Sequence, residues 1–333
     1  MRSIFLCESA DSIARVYAPE TIALLKKEAG LCETVFNKGA VTVKPEAFHD
    51  VRYIFSTWGM SVLTEKEIRA AFPKLECVFY GAGTVQTFAR PFLACGVKIF
   101  SAWAANAVPV AEYTVSQILL ANKGYYATSR LMSAGNVEES RKVRGCYPGN
   151  FGECVGLIGV GQVARAVIRL LRNFNLRVKV YDPFLSREDA AAMGVEQCGL
   201  QELFETCMVV SNHVANNPST VGMLHRVHFE AMRPYATFIN TGRGAQLVEE
   251  DLVQVLRSRP DLTAVLDVTW PEPPVAGHPF YSLPNCVLTP HIAGSSGDEV
   301  HRMSQYMVQE FRHYTAGEPC LYEVTAEMLK TMA

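Results

Sequence analysis

The sequence has no large excess of charge of either sign. It contains 31 Lys and Arg residues against 33 Asp and Glu residues, for a net charge of −2 at pH 7, and the basic residues are scattered along the chain. A protein that binds nucleic acid or an anionic membrane surface usually carries clustered positive charge. We therefore expect no nucleic acid and no membrane among the partners, and a small molecule as the ligand.

Long apolar runs, paired cysteines and clustered histidines are also absent. No stretch approaches the ~18 apolar residues of a membrane span, and only four apolar residues separate Ser3 from Glu8, too few for a signal peptide. The ten cysteines include no CxxC pair, and the eight histidines include no HxxxH pair. We therefore predict a cytoplasmic protein without a metal site. Its buried thiols would include those in apolar patterns, at Cys77, Cys154, Cys207 and Cys286.

Closely spaced glycines stand between an apolar run and a helical pattern in Val155–Ala164. Gly159 suits a tight turn, and Gly161 lets a phosphate approach the positive end of the following helix. A lone GxGxx(G/A) motif can also reflect purely structural glycines. The next apolar run, however, ends in Asp182, 21 residues after Gly161. That is close to the ~20 at which a dinucleotide-binding unit places the acid that holds the ribose. Together these features predict dinucleotide binding.

The order of apolar runs and helical patterns predicts two α/β domains. At 333 residues the chain is long enough for both. Runs and helical patterns alternate up to residue 105, as in a parallel sheet, and the alternation resumes at the glycine motif. A helical pattern from about Asp298 to Tyr314 is long enough to return to the first domain. We predict one domain from residues 1–105 and 294–333, with residues 106–293 inserted into it.

The segment between Lys123 and Gly152 is polar, with several glycines and charged residues. It follows a strong helical pattern from Asn106 to Asn122, which we interpret as the helix that leaves the first sheet. We expect the polar segment to form an exposed arm. It would either pack on a partner subunit or remain a solvated connection.

Three polar residues each follow a predicted strand of the second domain, namely Arg243, Glu272 and His291. The carboxyl ends of parallel strands meet at one edge of a sheet, where open α/β sheets bind ligands. An imidazole can donate a proton to a carbonyl and accept it back, and a neighbouring carboxylate would favour its protonated form. An arginine offers a fork for a substrate carboxylate. Each residue alone could be a surface histidine, a capping arginine or part of a rigid proline turn, but their shared location favours an acid–base site.

These segments resemble the D-isomer-specific 2-hydroxyacid dehydrogenase family, and the resemblance extends over essentially the whole chain. It implies an α/β fold with two doubly wound parallel sheets, in which a Rossmann-type NAD-binding domain is inserted into a flavodoxin-like substrate domain. The segments that carry the resemblance are Asn106–Glu112 for the hinge helix, Gly156–Ala164 for the nucleotide loop, Ile239–Gly244 for the arginine motif, Leu266–Pro273 for the glutamate motif and Thr289–Gly294 for the histidine motif.

The resemblance also implies roles for individual residues. Arg243, Glu272 and His291 would be catalytic, and the backbone amides of Ala82, Gly83 and Thr84 would share the substrate carboxylate with Arg243. The helix and arm after Asn106 would form a homodimer. The residues implied to contact NAD are Gly159, Gly161, Gln162, Val163, Asp182, His213, Val214, Thr220, Thr241, Gly242, Arg243, Asp267 and His291.

The activity implied by the resemblance is hydride transfer between NAD(H) and a small 2-hydroxy or 2-oxo acid, of the D-isomer. An NAD(H)-sensing corepressor-like module on the same fold is the alternative, because such modules resemble the family even at the catalytic positions. Formate dehydrogenase is disfavoured, since formate oxidation does not need the proton-transfer partner that Glu272 supplies. The substrate stays open, because Ser56–Met60 and Ser101–Trp103 match no pocket of known class. Trp58 and Trp103 either line that pocket or belong to the core.

Overall fold

The computed structural model describes residues 2–330, and the chain divides into two compact units. The first unit combines the residues up to Asn106 with those from Ser295 onward, and the second unit is Ala107–Gly294. Among the described residues, no helix has both the length and the apolar character that crossing a membrane requires.

The first part of the chain alternates short strands with helices. Its strands are β1 (Ser3–Leu6), β2 (Leu31–Phe36), β3 (Tyr53–Ser56), β4 (Cys77–Tyr80) and β5 (Lys98–Ser101). Its helices are α1 (Ala10–Val16), α2 (Pro19–Ala29), α3 (Lys38–Val43), α4 (Glu65–Ala71) and α5 (Ala89–Ala94). The chain then enters α6 (Trp103–Asn122), which runs across the boundary between the units in the sequence.

The rest of the chain continues the same alternation. The helices are α7 (Tyr125–Ser133), α8 (Val137–Arg144), α9 (Gln162–Leu171), α10 (Arg187–Met193), α11 (Leu200–Thr206), α12 (Arg226–Glu230), α13 (Glu249–Ser258) and α14 (His301–Ala316). The strands are β6 (Phe151–Ile158), β7 (Asn175–Tyr181), β8 (Glu196–Gln197), β9 (Val209–Asn212), β10 (Thr237–Asn240), β11 (Thr263–Leu266), β12 (Cys286–Leu288) and β13 (Glu323–Val324). Short 3₁₀ turns lie at Pro45–Phe48, Gly244–Gln246, Pro279–Tyr281, Gly297–Val300 and Met328–Lys330.

The sheet of the first unit has the order β13-β5-β4-β3-β1-β2. Strands β1 to β5 are parallel in the flavodoxin-like order 2-1-3-4-5, and β13 is antiparallel at the edge. Phe79 stacks between Phe55 and Phe100, with ring centroids 5.2 and 5.1 Å apart. Phe311 of α14 packs edge-on against Phe79 at 5.7 Å. The C-terminal helix therefore completes the core of the sheet formed by the N-terminal strands.

The sheet of the second unit has the order β12-β11-β10-β9-β6-β7-β8, and all of its pairs are parallel. The strand order reverses at β6, where β7 lies on one side and β9 on the other. In doubly wound sheets, ligands bind at the carboxyl edge beside such a reversal. The carboxyl end of β6 leads directly into the glycine motif.

The predicted fold class is confirmed, and most predicted elements lie within three residues of their observed bounds. The predicted helix at Asn106–Asn122, for example, is α6 at Trp103–Asn122. The elements that were not predicted include α1, β2, α3, β8 and β13. Strand β2 lies at the sheet edge, and five of its six residues are only partly buried or exposed, so it lacks an uninterrupted apolar run. The segment that was predicted to be an exposed arm contains the helices α7 and α8, which were not predicted. Cys77, Cys154 and Cys207 are buried, whereas Cys286 is only partly so.

Glu310 ties the C-terminal strand to α14 and is fully buried. Its Oε2 accepts hydrogen bonds from the backbone N–H groups of Leu321 and Tyr322, both at 3.0 Å. Glu310→Ala leaves both donors without this acceptor, so we expect the free energy of unfolding to fall by about 2–3 kcal/mol. Urea unfolding measures the loss. Glu318→Ala, at an exposed position two residues beyond α14, is the control, and an equal effect of the two substitutions would contradict the assignment.

Candidate active site

The loop between β6 and α9 is shaped by two glycines with different roles. Gly159 has φ +81°, and a Cβ there would lie 2.9 Å from the backbone of Val214. At Gly161, by contrast, a Cβ would meet no atom within 4 Å, so the backbone faces open space. No side chain caps α9, whose first amides lie beside Gly161. The loop thus presents free N–H groups and the positive end of a helix dipole to an incoming anion.

Asp182 lies at the end of β7, next to the same loop. Its Oδ2 accepts a hydrogen bond from the Val160 N–H at 2.7 Å, and its Oδ1 accepts one from the Phe184 N–H at 2.8 Å. These two bonds fix the orientation of the carboxylate, and each oxygen keeps a lone pair for a further donor. A pyrophosphate at the start of α9 and a ribose hydroxyl at Asp182 would both find partners. The residues present therefore fit a dinucleotide.

Three more of the predicted cofactor contacts follow β9. The His213 ring lies 3.0 Å from Ser211 Oγ through Nε2 and 3.5 Å from Thr241 Oγ1 through Nδ1. Burial lowers the pKa of His213 to about 4, so the ring is neutral near pH 7. The Val214 carbonyl accepts a hydrogen bond from Gln246 Nε2 at 2.8 Å. The Thr220 hydroxyl donates to the Ala215 carbonyl at 2.7 Å, within its own loop.

Arg243 begins the 3₁₀ turn after β10, and its half-buried side chain folds back on the turn. Its Nη1 donates to the Gly242 carbonyl at 2.7 Å, and its backbone N–H donates to Gln246 Oε1 at 3.0 Å. At Gly244 a Cβ would lie 2.0 Å from the carbonyl carbon of Thr269, so only glycine fits there. The arginine turn is therefore packed directly against the segment that leads to Glu272.

A buried network that was not predicted supports the arginine turn. Asn212 Nδ2, at the end of β9, donates to Asn240 Oδ1 at 3.0 Å and to Gln246 Oε1 at 2.6 Å. Asn240 Nδ2 donates in turn to the Arg243 carbonyl at 3.2 Å. All three side chains are buried. The signal for this network in the sequence is that the buried strands β9 and β10 both end in asparagine.

Glu272 and His291 form a direct pair. Glu272 Oε1 lies 2.7 Å from His291 Nδ1. An ionised carboxylate only accepts, so Nδ1 carries a proton, and Nε2 is left to exchange a proton with a ligand. Among residues 2–330, no hydrogen bond to His291 Nε2 is formed. The side chains are 39% and 44% exposed, so the pair contributes at most about 1 kcal/mol to stability, and its effect is mainly to orient the ring.

Asp267 holds the backbone around His291. Its buried carboxylate accepts from the Ile292 and Ala293 N–H groups at 2.8 and 2.9 Å and from Thr289 Oγ1 at 2.6 Å. His291 itself has φ +55°, a backbone conformation that residues other than glycine rarely adopt. Such conformations persist only where surrounding contacts impose them, and they cluster at functional sites. Asp267 thus has a local structural role in addition to the cofactor contact predicted for it.

The three predicted catalytic residues follow β10, β11 and β12, which are neighbours in one parallel sheet. The structure brings Glu272 and His291 into contact. Arg243 lies on the adjacent loop, and in the described part of the chain it forms no hydrogen bond with either of them.

The loop after β4 in the first unit contains the predicted carboxylate-binding amides. The Ala82 N–H already donates to the Tyr80 carbonyl at 2.9 Å, so this amide is not free. The N–H groups of Gly83 and Thr84 have no acceptor among the described residues, and their role toward a substrate carboxylate stays a prediction. Ser101 Oγ holds the loop by donating to the Ala82 carbonyl at 2.9 Å.

The two tryptophans of the first unit have different surroundings. Trp58 follows β3 and is 37% exposed, and the Arg15 guanidinium lies 5.5 Å from the centre of its ring. Trp103 is only partly buried and packs edge-on against Tyr322, with ring centroids 6.2 Å apart. Trp103 is therefore a packing residue beside the C-terminal strand, whereas Trp58 lies at the surface beside a cation.

Fold and site together define a dinucleotide-binding α/β protein with a glutamate–histidine pair. The model of the family described as D-isomer specific 2-hydroxyacid dehydrogenase, NAD binding domain, matches residues 115–293, or 179 of the 333 residues. The chain belongs to this family, and its second unit is the NAD-binding domain.

Individual relatives agree with this family. The chain is 32% identical over 253 residues to an (S)-sulfolactate dehydrogenase of Chromohalobacter salexigens, covering 74% of this chain and 80% of that protein. It is 28% identical over 224 residues to a D-3-phosphoglycerate dehydrogenase of Archaeoglobus fulgidus, covering 67% and 42%. The chain spans about half the length of several curated relatives that it matches. A phosphoglycerate oxidoreductase structure from Rhizobium etli shares the fold, with a TM-score of 0.80, 20% identity and coverage of 98% and 99%.

The neutral state of His213 leads to a pH prediction. Because its pKa is lowered from 6.5 to about 4, the unfolded chain takes up a proton between these values and the native protein does not. The stability associated with neutral His213 is therefore complete above pH about 6.5 and is lost as the pH falls toward about 4. We expect His213→Gln to reduce this acid-induced loss, as measured by urea unfolding at several pH values. His49→Gln, at an exposed ring, is the control and should keep the wild-type slope.

Proposed function

We propose that this protein is an NAD-dependent oxidoreductase that interconverts a small 2-oxo acid and the corresponding D-2-hydroxy acid. The observation that carries the proposal is the 2.7 Å contact between Glu272 and His291, at the carboxyl edge of the NAD-binding sheet. The family membership and the names of the relatives support the reaction class. A homodimer through the helix and arm after Asn106, which are α6, α7 and α8, belongs to the same proposal, as does a cytoplasmic location. The exposure of Tyr125 and Met132 on α7 supports the homodimer.

The cofactor would be held by the first amides of α9 and by Asp182, and when bound it supplies the hydride that is exchanged with the substrate carbon. His291 Nε2 donates a proton to the carbonyl oxygen during reduction and accepts it during oxidation. Glu272 keeps the proton of the imidazole on Nδ1 and stabilises the protonated ring. Arg243 binds the substrate carboxylate through the guanidinium N–H groups that the bond to Gly242 leaves free.

The proposal is tested by a panel of small 2-oxo acids offered to the protein with NADH. We expect oxidation of NADH with at least one acid, and the D-enantiomer of the product. Tight binding of NADH without turnover of any acid in the panel would contradict the proposed activity. Comparison of acids that differ only in the group on carbon 3 would then identify the substrate class.

Asp182 is expected to select NAD(H) over NADP(H). Its fixed carboxylate would accept hydrogen bonds from the ribose hydroxyls and would repel an additional phosphate. The preference is measured as the ratio of kcat/KM values for NADH and NADPH, and Asp182→Ala should shrink it. Asp189→Ala, at an exposed acid on α10, is a control for the general loss of negative charge. An equal or better kcat/KM with NADPH in the wild type would refute the assignment.

The Glu272–His291 pair is tested by substitution of each partner. We expect His291→Ala to lower kcat by roughly 10²–10⁴-fold with little change in NADH binding, since it removes one positioned acid–base group. Glu272→Gln removes the carboxylate that orients the ring through Nδ1, so kcat should fall while KM for NADH changes little. An unchanged kcat in Glu272→Gln would mean that the carboxylate does not act on His291.

A further inference from the structure

Glu249 lies outside the predicted site, yet its carboxylate faces both ends of the segment that carries Glu272. It is the first residue of α13 and is buried. Its Oε1 accepts a hydrogen bond from the Trp270 N–H at 2.8 Å, and its Oε2 lies 3.7 Å from His278 Nε2. Trp270 and His278 are the two ends of a nine-residue segment, residues 270–278. We call this stretch the glutamate segment.

His278 is oriented so that its Nε2 faces Glu249. Its Nδ1 accepts a hydrogen bond from the Phe280 N–H at 3.3 Å, and its ring packs on Phe280 with centroids 4.6 Å apart. Phe280 is fully buried, so this end of the segment is anchored in the core. Because Nδ1 is the acceptor, Nε2 carries the proton, and it points toward the carboxylate.

The glutamate segment has few other fixed contacts. Six of its eight residues other than Trp270 are exposed, and Trp270 itself is 69% exposed. Within it, the Tyr281 hydroxyl donates to the Pro274 carbonyl at 3.1 Å, and Thr269 Oγ1 donates to the Pro271 carbonyl at 2.9 Å. Thr269 is buried, so its bond holds the start of the segment beside the sheet, whereas the Tyr281 bond joins the segment to a 3₁₀ turn. Glu249 contacts both ends of the segment from one helix, α13, whose apolar side chains are buried in the core of the second unit.

We propose that Glu249 is a positioning residue that fixes both ends of the glutamate segment and thereby places Glu272 against His291. Trp270 donates its N–H to Glu249, and Glu272 is only two residues further along the chain. A small displacement of Trp270 therefore moves the Glu272 carboxylate that contacts His291. Because acid–base catalysis depends on such placement, loss of the anchor should reduce turnover more than cofactor binding. This kinetic consequence depends on the proposed function, whereas the structural one does not.

The charge of Glu249 changes near neutral pH. Burial raises its pKa to about 7, against the opposing effect of the Trp270 amide, and Glu250 adds a small repulsion. The titratable groups that face it are Glu250 on α13, His278 in the glutamate segment and Cys286 on β12. An ionised carboxylate accepts a stronger hydrogen bond from the Trp270 N–H than a protonated acid does. Glutamine at this position resembles the protonated acid, so Glu249→Gln retains the volume and removes the charge.

The structural part is tested by amide hydrogen exchange at pH 8 without cofactor. We expect peptides that span the glutamate segment to exchange about tenfold faster in Glu249→Gln than in the wild type, because a hydrogen bond to a charged group is weakened. Glu250→Gln, which removes the exposed neighbouring charge, is the matched control and should exchange like the wild type. Equal exchange in Glu249→Gln and the wild type would overturn the proposal. If Glu249→Gln fails to fold, His278→Gln replaces it, with the same direction of change expected.

The kinetic part is tested by a double-mutant comparison. We expect Glu249→Gln to lower kcat for 2-oxo acid reduction by about tenfold while KM for NADH changes by less than about twofold. In a Glu272→Gln background, Glu249→Gln should have almost no further effect, because the residue acts through Glu272. If Glu249→Gln lowered kcat by a further tenfold in the Glu272→Gln background, Glu249 would not act through Glu272, and the proposal would be overturned. If the wild type reduces no 2-oxo acid, the proposed function fails, and the exchange experiment still decides whether Glu249 holds the segment.

Discussion

The close approach of Gly244 to Thr269 is the constraint on which the candidate active site depends. A Cβ at position 244 would lie 2.0 Å from the Thr269 carbonyl carbon, so any side chain would push the two loops apart. One of these loops carries Arg243, and the other leads to Glu272. The glycine therefore sets the spacing between the proposed carboxylate-binding group and the partner of the proposed acid–base residue. This spacing is not set by the proposed catalytic side chains themselves.

His213 and His291, both in the second unit, have different surroundings. His213 is partly buried, and burial lowers its pKa to about 4, so it serves as a neutral hydrogen-bonding group. The His291 side chain is 44% exposed and contacts the Glu272 carboxylate through Nδ1, which leaves Nε2 for a ligand. A neutral ring is suited to holding a ligand, and a ring that exchanges protons is suited to chemistry. The surroundings of the two rings, and not only their sequence neighbours, account for this difference between His213 and His291.

Much of the fold was predictable because parallel strands that are buried on both faces read as apolar runs. The pairing of Glu272 with His291 was predictable for a related reason, since both follow neighbouring strands of that kind. Glu249 was not predictable, because its partners Trp270 and His278 lie 21 and 29 residues away and no periodic pattern links them. The helices α7 and α8 were missed because their sequences are polar, and the edge strand β2 was missed because its apolar residues are interrupted.

The split first unit has a consequence for biosynthesis. Residues Ala107–Gly294 are contiguous, so this unit can fold as soon as its own residues have left the ribosome. The first unit must wait, because Phe311 of α14 covers Phe79 and the edge strand β13 pairs with β5. Its five N-terminal strands are synthesised first, but their sheet is completed last, when α14 and β13 have been synthesised. During the intervening 188 residues of synthesis, the face of that sheet is the apolar surface that a chaperone would recognise.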